Sequence, residues 1–261
     1  MNKYLSSCLK SFLLVYISVA VVACSGVKNI GYFQNVGAID SVSTSDMAVF
    51  TEPVIQPDDI LAISIFTNDP TTGAQVNQLA SQAIQGLAGT NAINGFLVDK
   101  NGEIELSGLG RVKLLGLTTF KARDLIRVKA AAEYKNASVQ VRFANFKVNV
   151  VGEVNRPAIY TLPNEKVTVM DAIGLAGDLT LYGKRENILV IREKDGKKEY
   201  ARLNLYDTDI FKSPFYYLKQ NDIVYVEAHK SKTAALNAPT RTSIGLILSA
   251  ISVLVLAITR L

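Results

Sequence analysis

The stretch Ile244–Ile258, fifteen residues without a charge, limits what this chain can fold into, because only Thr259, Arg260 and Leu261 follow and nothing remains to cover it. As an α-helix at about 1.5 Å per residue it reaches roughly 22 Å, short of the roughly 30 Å of an ordinary bilayer core. Thr242, Gly245, Ser249, Ser252 and Thr259 fall on one seam with 3-4-3-7 spacing, and the other faces are Ile, Leu and Val. Such a helix offers apolar sides to lipid and a hydroxyl seam to sister helices or a water-filled lumen. A plain tail anchor whose serines bond their own backbone fits the same residues.

The opposite end is also apolar. Met1–Ala23 has Lys3 and Lys10, an uncharged run from Phe12 and no acid, the layout of an export signal. The run closes in Val21-Val22-Ala23-Cys24-Ser25, which resembles the lipobox of bacterial lipoproteins. That resemblance implies lipid attachment at Cys24 and, with Ser25 in place of aspartate, an outer-membrane destination. An uncleaved anchor with an incidental cysteine is the alternative. With Cys8 removed and Cys24 acylated, no thiol or disulfide remains. Loss of the two lysines also lowers the net charge from +5 to +3, too little to argue for a nucleic-acid partner.

Between the ends the pattern is α+β. Val27–Phe50 is a polar tether. Pro57-Asp58-Asp59 makes a turn into Ile60–Phe66, where both alternating sets are largely apolar and predict a strand buried on both faces. Thr67–Asn94 is an insertion with one weak helix over Gln75–Gln85. Phe96–Asp99 and Glu103–Leu106 predict a hairpin around Asn101-Gly102. Thr118 caps a helix to about Tyr134, with Phe120, Leu125, Val128 and Ala132 as its apolar stripe and Lys121, Arg123, Asp124 and Arg127 facing water. Ser138–Phe143 closes the unit as a period-two strand.

In the second half, two apolar strands flank Gly152-Glu153-Val154-Asn155-Arg156-Pro157, where Pro157 fixes φ and Gly152 tolerates close backbone approach. Thr168 caps a short helix that Gly177 ends. Strands at Asn187–Ile191 and Glu199–Leu203 flank Asp195-Gly196, and Asp222–Glu227 is the last strand. The resulting divisions are a signal (1–23), a lipidated tether (24–50), two small mixed α/β domains (51–145 and 146–228, the second β-grasp-like), and a linker with a C-terminal transmembrane helix (229–261).

Pro57-Asp58-Asp59, Asn101-Gly102 and Gly116-Leu117-Thr118 resemble the polysaccharide export protein family, with Asp58 where glycine is usual and Ser107 where proline is usual. Val151–Gly177 is similar to the SLBB domain that accompanies it, with Ala158 and Asp178 where glycine is common. The resemblance implies an oligomeric, porin-like lipoprotein of the outer membrane, its bulk periplasmic, that conducts capsular or extracellular polysaccharide. It also implies an inner-membrane partner such as a polysaccharide co-polymerase with a kinase.

Active-site arrangements are not evident. The single histidine, His229, sits in a Lys-rich connector, and no His/Cys/carboxylate cluster suggests a metal or cofactor. Asp58 and Asp59 are adjacent and point apart, which suits a turn better than a catalytic pair. Gly108, Gly110 and Gly116 miss the phosphate-loop spacings. Tyr182, Tyr200, Tyr206, Tyr216 and Tyr217 fit half-buried sheet positions as well as sugar stacking. The expected protein is not an enzyme. The competing expectations are a tethered glycan-binding or adaptor lipoprotein without a pore, and an envelope glycan-modifying enzyme using Asp58 or Asp59.

Overall fold

The computed structural model describes residues 30–36, 44–67, 95–194, 196–236 and 249. The chain divides into two units, residues 1–32 and 33–261, and of the first only residues 30–32 are described, without regular secondary structure. The expected signal sequence with Cys24, the insertion over 68–94 with its helix, and most of the terminal stretch lie outside the described residues. Among the described residues no helix is long and apolar enough to cross a membrane.

The 57–59 turn forms as expected and leads into β1 (Ile60–Phe66). β1 is half-buried, not buried on both faces: Leu61, Ile63 and Ile65 are in the core, whereas Ile60, Ala62 and Ser64 are intermediate and Phe66 is exposed. One side only is covered, because the sheet β2-β1-β5 carries its helix on one face. β2 (Phe96–Leu97) pairs with the start of β1. β3 (Glu103–Leu106) pairs with β4 (Gly110–Lys113), so the expected 96–99/103–106 hairpin does not form. The Asn101-Gly102 reversal does exist. Asp99 Oδ1 accepts from the backbone of Asn101 and Glu103 at 2.8 and 2.9 Å, and Gly102 has φ +76°. It carries the chain from one sheet into the next, and the tight hairpin follows at Gly108 and Gly110, both at positive φ.

α1 (Thr119–Glu133) starts at Thr118, whose hydroxyl accepts from Lys121 N–H. Its buried face is Ala122, Ile126 and Ala130, set against β5 (Ser138–Phe143). The expected stripe points outward: Phe120 and Val128 are 57% and 70% exposed. Small residues win the inner face because Val139, Val141 and Phe143 on β5 and Ile63 and Ile65 on β1 already fill the space.

β6 (Lys147–Gly152) and β7 (Ala158–Thr161) pair antiparallel as the sequence suggests. β8 (Val167–Thr168) leads into α2 (Val169–Leu175), capped reciprocally by Thr168 and Asp171. β9 (Gly183–Lys194) and β10 (Lys197–Leu203) form a long hairpin, followed by a 3-10 turn (Thr208–Lys212), β11 (Tyr217–Leu218), β12 (Ile223–Ala228) and α3 (Lys230–Leu236). The main sheet runs β10-β9-β12-β6-β7, with β12 parallel to β6. Val148, Val150, Ile188, Val190, Val224 and Val226 form its buried face.

The expected tether is partly bound. Phe33 and Gln34 donate to Leu205 and Tyr206 carbonyls at 2.9 and 2.7 Å, and Ala48 donates to Phe211. Rings run in contact from Phe33 through Phe211, Tyr216 and Tyr217 to Phe50, with successive centroids 5.2–5.3 Å apart. Farther on, Ile55 exchanges hydrogen bonds with Gly116 and Leu117 of the first half. Residues 44–56 thus strap both sheets. Gln220 Nε2 to Asn145 O (2.7 Å) and Asn145 Oδ1 from Ile60 N–H (3.0 Å) tie them at the joint.

Candidate functional site

The turn before β1 separates its two carboxylates. Asp58 is exposed at φ +69°, while Asp59 turns into the core and accepts from Gln56 N–H at 2.8 Å. Burial pushes the Asp59 carboxyl up to about 6, the Gln56 hydrogen bond opposes this and the charge of Asp58 adds to it. The backbone here closes on Val98, which donates to Asp59 O and accepts from Asp58 N–H. Asp59 is thereby a structural member of the turn.

The loop 152–157 holds the end of α2. Arg156 donates through its backbone to Ala176 O and through Nη2 to Leu175 O, and Asn155 Nδ2 reaches Gly177 O at 2.6 Å. These groups satisfy carbonyls that a helix end leaves free. Gly177 lies at φ +73° and Gly152 at φ +96°, with Gly152 pressed against the Val226 backbone. The structure therefore brings Gly152, Pro157 and Gly177 into one corner, and Pro57, Asp58, Asp59, Asn101 and Gly102 into the other half of the molecule.

Two charged arrangements had no sequence signal. Arg192 and Asp222, 30 positions apart, form a buried bidentate pair with Nη2–Oδ2 at 2.6 Å and Nε–Oδ1 at 3.0 Å. Arg192 also donates to Tyr217 O, and Asp222 accepts from Lys219 N–H, so the pair pins the β11 region to the sheet. Glu153, also buried, binds Lys232 of α3 and the Thr180 hydroxyl. The hydrogen bond from Lys232 holds the Glu153 carboxyl below the usual carboxylate range, aided by Thr180 against the penalty of burial. His229, expected to be a solvated linker side chain, is exposed but accepts from Ser231 N–H through Nδ1, and its backbone N–H donates to Tyr182 O. The connector is consequently seated on the second sheet and helical from Lys230.

Open clefts among the described residues include the following two. One, of about 540 Å³, lies between the first turn of α1 and the outer edge of β5, with Arg123 and Arg142 on its walls. The other, of about 480 Å³, lies between residues 48–51 and the β9–β10 hairpin, where Lys194, Lys212 and Lys219 surround Phe215. Among the described residues no group of three or more His, Cys, Asp or Glu stands close enough to hold a metal ion. Of the expected tyrosines, Tyr216 is buried in the ring chain and Tyr200 is 63% exposed. Thr242, Gly245, Ser252 and Thr259 lie outside the described residues, and Ser249 is helical and exposed.

Among the described residues the two larger sheets, joined at Asn145–Phe146 and each accompanied by a helix, make a tandem of mixed α/β modules. Residues 48–144 match the model of the polysaccharide biosynthesis/export protein family and residues 147–201 that of the SLBB domain, the two meeting at that joint. The chain thus carries, in order, a region that matches the polysaccharide biosynthesis/export protein family and one that matches the SLBB domain. The EPS I polysaccharide export outer membrane protein EpsA of Ralstonia solanacearum is 29% identical over 113 residues, 42% of this chain and 30% of that protein. Its counterpart in Ralstonia nicotianae (strain ATCC BAA-1114 / GMI1000) is 28% identical over 142 residues, 51% of this chain and 37% of that protein. The aligned part of the chain thus spans about a third of the length of these curated relatives.

Proposed function

We propose that this chain is an outer-membrane lipoprotein that assembles into a conduit for exported capsular or extracellular polysaccharide. The ordered pair of family matches over residues 48–201 carries the reading, and the relatives named above are polysaccharide export outer membrane proteins. In this proposal residues 1–23 are the signal, Cys24 bears lipid, 51–145 is the export domain, 146–228 the SLBB domain, and the bulk of the chain is periplasmic. The stretch Ile244–Ile258 spans the membrane as one helix of a barrel, with Thr242, Gly245, Ser249, Ser252 and Thr259 facing the lumen or a sister helix. The outward side of α1, where Val128 and Leu125 are exposed, suits contact between copies. The chain itself is no enzyme in this reading, and an inner-membrane co-polymerase with a kinase supplies polymer and energy.

Light scattering of the lipidated protein in mild detergent, with and without residues 233–261, tests this. A discrete multi-subunit ring that loosens on truncation is expected. A monomer in both forms overturns it. A tethered glycan-binding module, favoured by the lysine-rimmed cleft at Phe215, then becomes the better reading.

A further inference from the structure

The five-stranded sheet ends in two open strand edges of unlike chemistry. At β7, Leu162 donates to Phe146 O at 2.8 Å, so in this register Val148–Tyr160 and Val150–Ala158 are the hydrogen-bonded pairs and the backbone groups of Ile159 and Thr161 face away from β6. At β10, Lys194 and Lys197 pair across two intervening residues and therefore exchange hydrogen bonds, as do Glu199 with Arg192 and Ala201 with Val190 by alternation. Lys198, Tyr200 and Arg202 thus turn their backbone groups outward. Among the described residues none of these outward groups takes a hydrogen-bond partner.

Direction and side chains make the two edges complementary. β7 runs against β6 and β12 runs with it, while β9 runs against β12 and β10 against β9, so β7 and β10 are antiparallel to each other. On the sheet face away from the core one row, Ile159, Asn149, Ile223, Ile191 and Tyr200, crosses all five strands. Its inner members are half-buried, and its ends Ile159 and Tyr200 are 62% and 63% exposed. β7 carries no charge, whereas β10 presents Lys198, 4.0 Å from Glu193, and Arg202, which bonds the neutral Asn187 amide oxygen. A β10 edge meeting its own copy about Tyr200 would set Lys198 opposite Arg202 twice, and like charges so placed repel. A β7 edge meeting its own copy about Ile159 would set Thr161 opposite Pro157, which has no N–H to give.

We propose that β7 of one copy adds antiparallel to β10 of the next, with Ile159 opposite Tyr200 and Thr161 opposite Lys198. Each of these pairs exchanges two backbone hydrogen bonds, the apolar row continues across the seam, and Ala158 faces Ala201 on the other side of the sheet. β7 accepts the cationic edge because it brings no cation of its own. A contact between two different edges of the same chain is heterologous, so its repetition about an axis along the strands builds a ring when the rotation closes, and never a two-fold dimer. The seam rests on the assembly proposed above and names the surfaces through which copies meet.

The test is disulfide cross-linking of the full chain in mild detergent, read on non-reducing gels beside the parent and beside light scattering of the same samples. Ala158 and Ala201 would form a non-hydrogen-bonded pair across the seam, about 4.5 Å between Cα atoms, within the range a disulfide spans. Ala158→Cys combined with Ala201→Cys in one chain should give a ladder of covalent multimers. Either single variant should match the parent, and a mixture of the two singles should add dimers only. Thr161→Arg, which sets a cation opposite Lys198, should slow cross-linking of the double-cysteine chain about two- to fivefold, and Lys198→Glu added to it should restore the rate. Thr161 and Lys198 are exposed, so the melting temperature should not change. An assembly by light scattering without the ladder overturns the seam and leaves the conduit standing, whereas a monomer without the ladder overturns both. Cross-linking in a single variant beyond the parent's overturns the seam in favour of self-paired edges, and a Thr161→Arg chain that cross-links at the unchanged rate overturns the register.

Discussion

Replacing Gly152 by alanine should be the most damaging single-methyl change in the second half of the chain. Gly152 has φ +96°, and a Cβ there would sit 2.0 Å from Val226 O, 2.9 Å from its carbonyl carbon and 3.1 Å from its nitrogen. All three atoms are backbone of β12, the parallel partner of β6, so no rotamer change relieves the overlap. Relief requires the two central strands to part, which also breaks Glu153 N–H to Val226 O at 2.9 Å. A left-handed conformation costs a non-glycine residue about 1–2 kcal/mol, overpacking about 1–3 kcal/mol, and the lost hydrogen bond about 0.5–1.5 kcal/mol. The sum is about 2.5–6.5 kcal/mol, a large share of a typical domain's stability. Thermal unfolding followed by circular dichroism should show the transition of Gly152→Ala lowered by roughly 5–26 °C. Gly174→Ala is the control, since that glycine lies in α2 at ordinary φ with no atom within 4 Å of the new methyl. It should gain up to about 1 kcal/mol from helix propensity. A Gly152→Ala protein that melts within about 2 °C of the parent, less than 1 kcal/mol on the same scale, refutes the reasoning.

Asp59 titrates higher in the folded chain than its ordinary value of 3.8, at about 6, so its contribution to stability is fully present below the ordinary value and lost as pH rises through about 6. Relative to Asp59→Asn, the parent should lose on the order of 1–2 kcal/mol between pH 4 and pH 7, less than full linkage because water screens part of the carboxyl; urea unfolding at a series of pH values reads this. Arg192→Met should cost about 3–5 kcal/mol by leaving Asp222 buried and unpaired. Adding Asp222→Leu should recover part of that loss, and a double variant less stable than Arg192→Met alone would contradict the account. Glu153→Gln should release α3, seen as amide exchange over residues 230–236 several-fold faster than in the parent while β6 and β12 stay protected. Because Glu153 titrates below the usual carboxylate range, its hold on Lys232 is present above that range and is lost as pH falls, so acidification of the parent should reproduce the variant's exchange.

Local rules carried much of this fold. Thr118 and Thr168 announced both capped helices, and period-two alternation marked Ser138–Phe143, because each signal depends only on neighbours a few positions away. Two departures from the family pattern also acquire a reason. Asp58 and Asp178 stand where glycine is usual, and both adopt positive φ, at +69° and +72°. Aspartate is among the few residues that tolerate that region, so the backbone survives the substitution.

What escaped was decided by competition at a distance. The apolar stripe expected for α1, Phe120, Leu125, Val128 and Ala132, gave way to Ala122, Ile126 and Ala130, a choice that rests on how much room β1 and β5 leave. No window of sequence contains that volume. The partner of β3 was likewise fixed by the tight turn at Gly108, which offered Glu103–Leu106 a nearer strand than Phe96–Leu97. Phe33 and Phe211, Arg192 and Asp222, and Glu153 and Lys232 are each separated by whole elements, yet together they decide where both approaches to the chain ends leave the second sheet. A residue such as Lys232, unremarkable in a basic connector, becomes a structural anchor only because Gly152 turns the chain and sets the next side chain, Glu153, beneath it. Lys232 thereby fastens α3 to the same loop that ends α2, which is why one methyl group at Gly152 should be felt at both places.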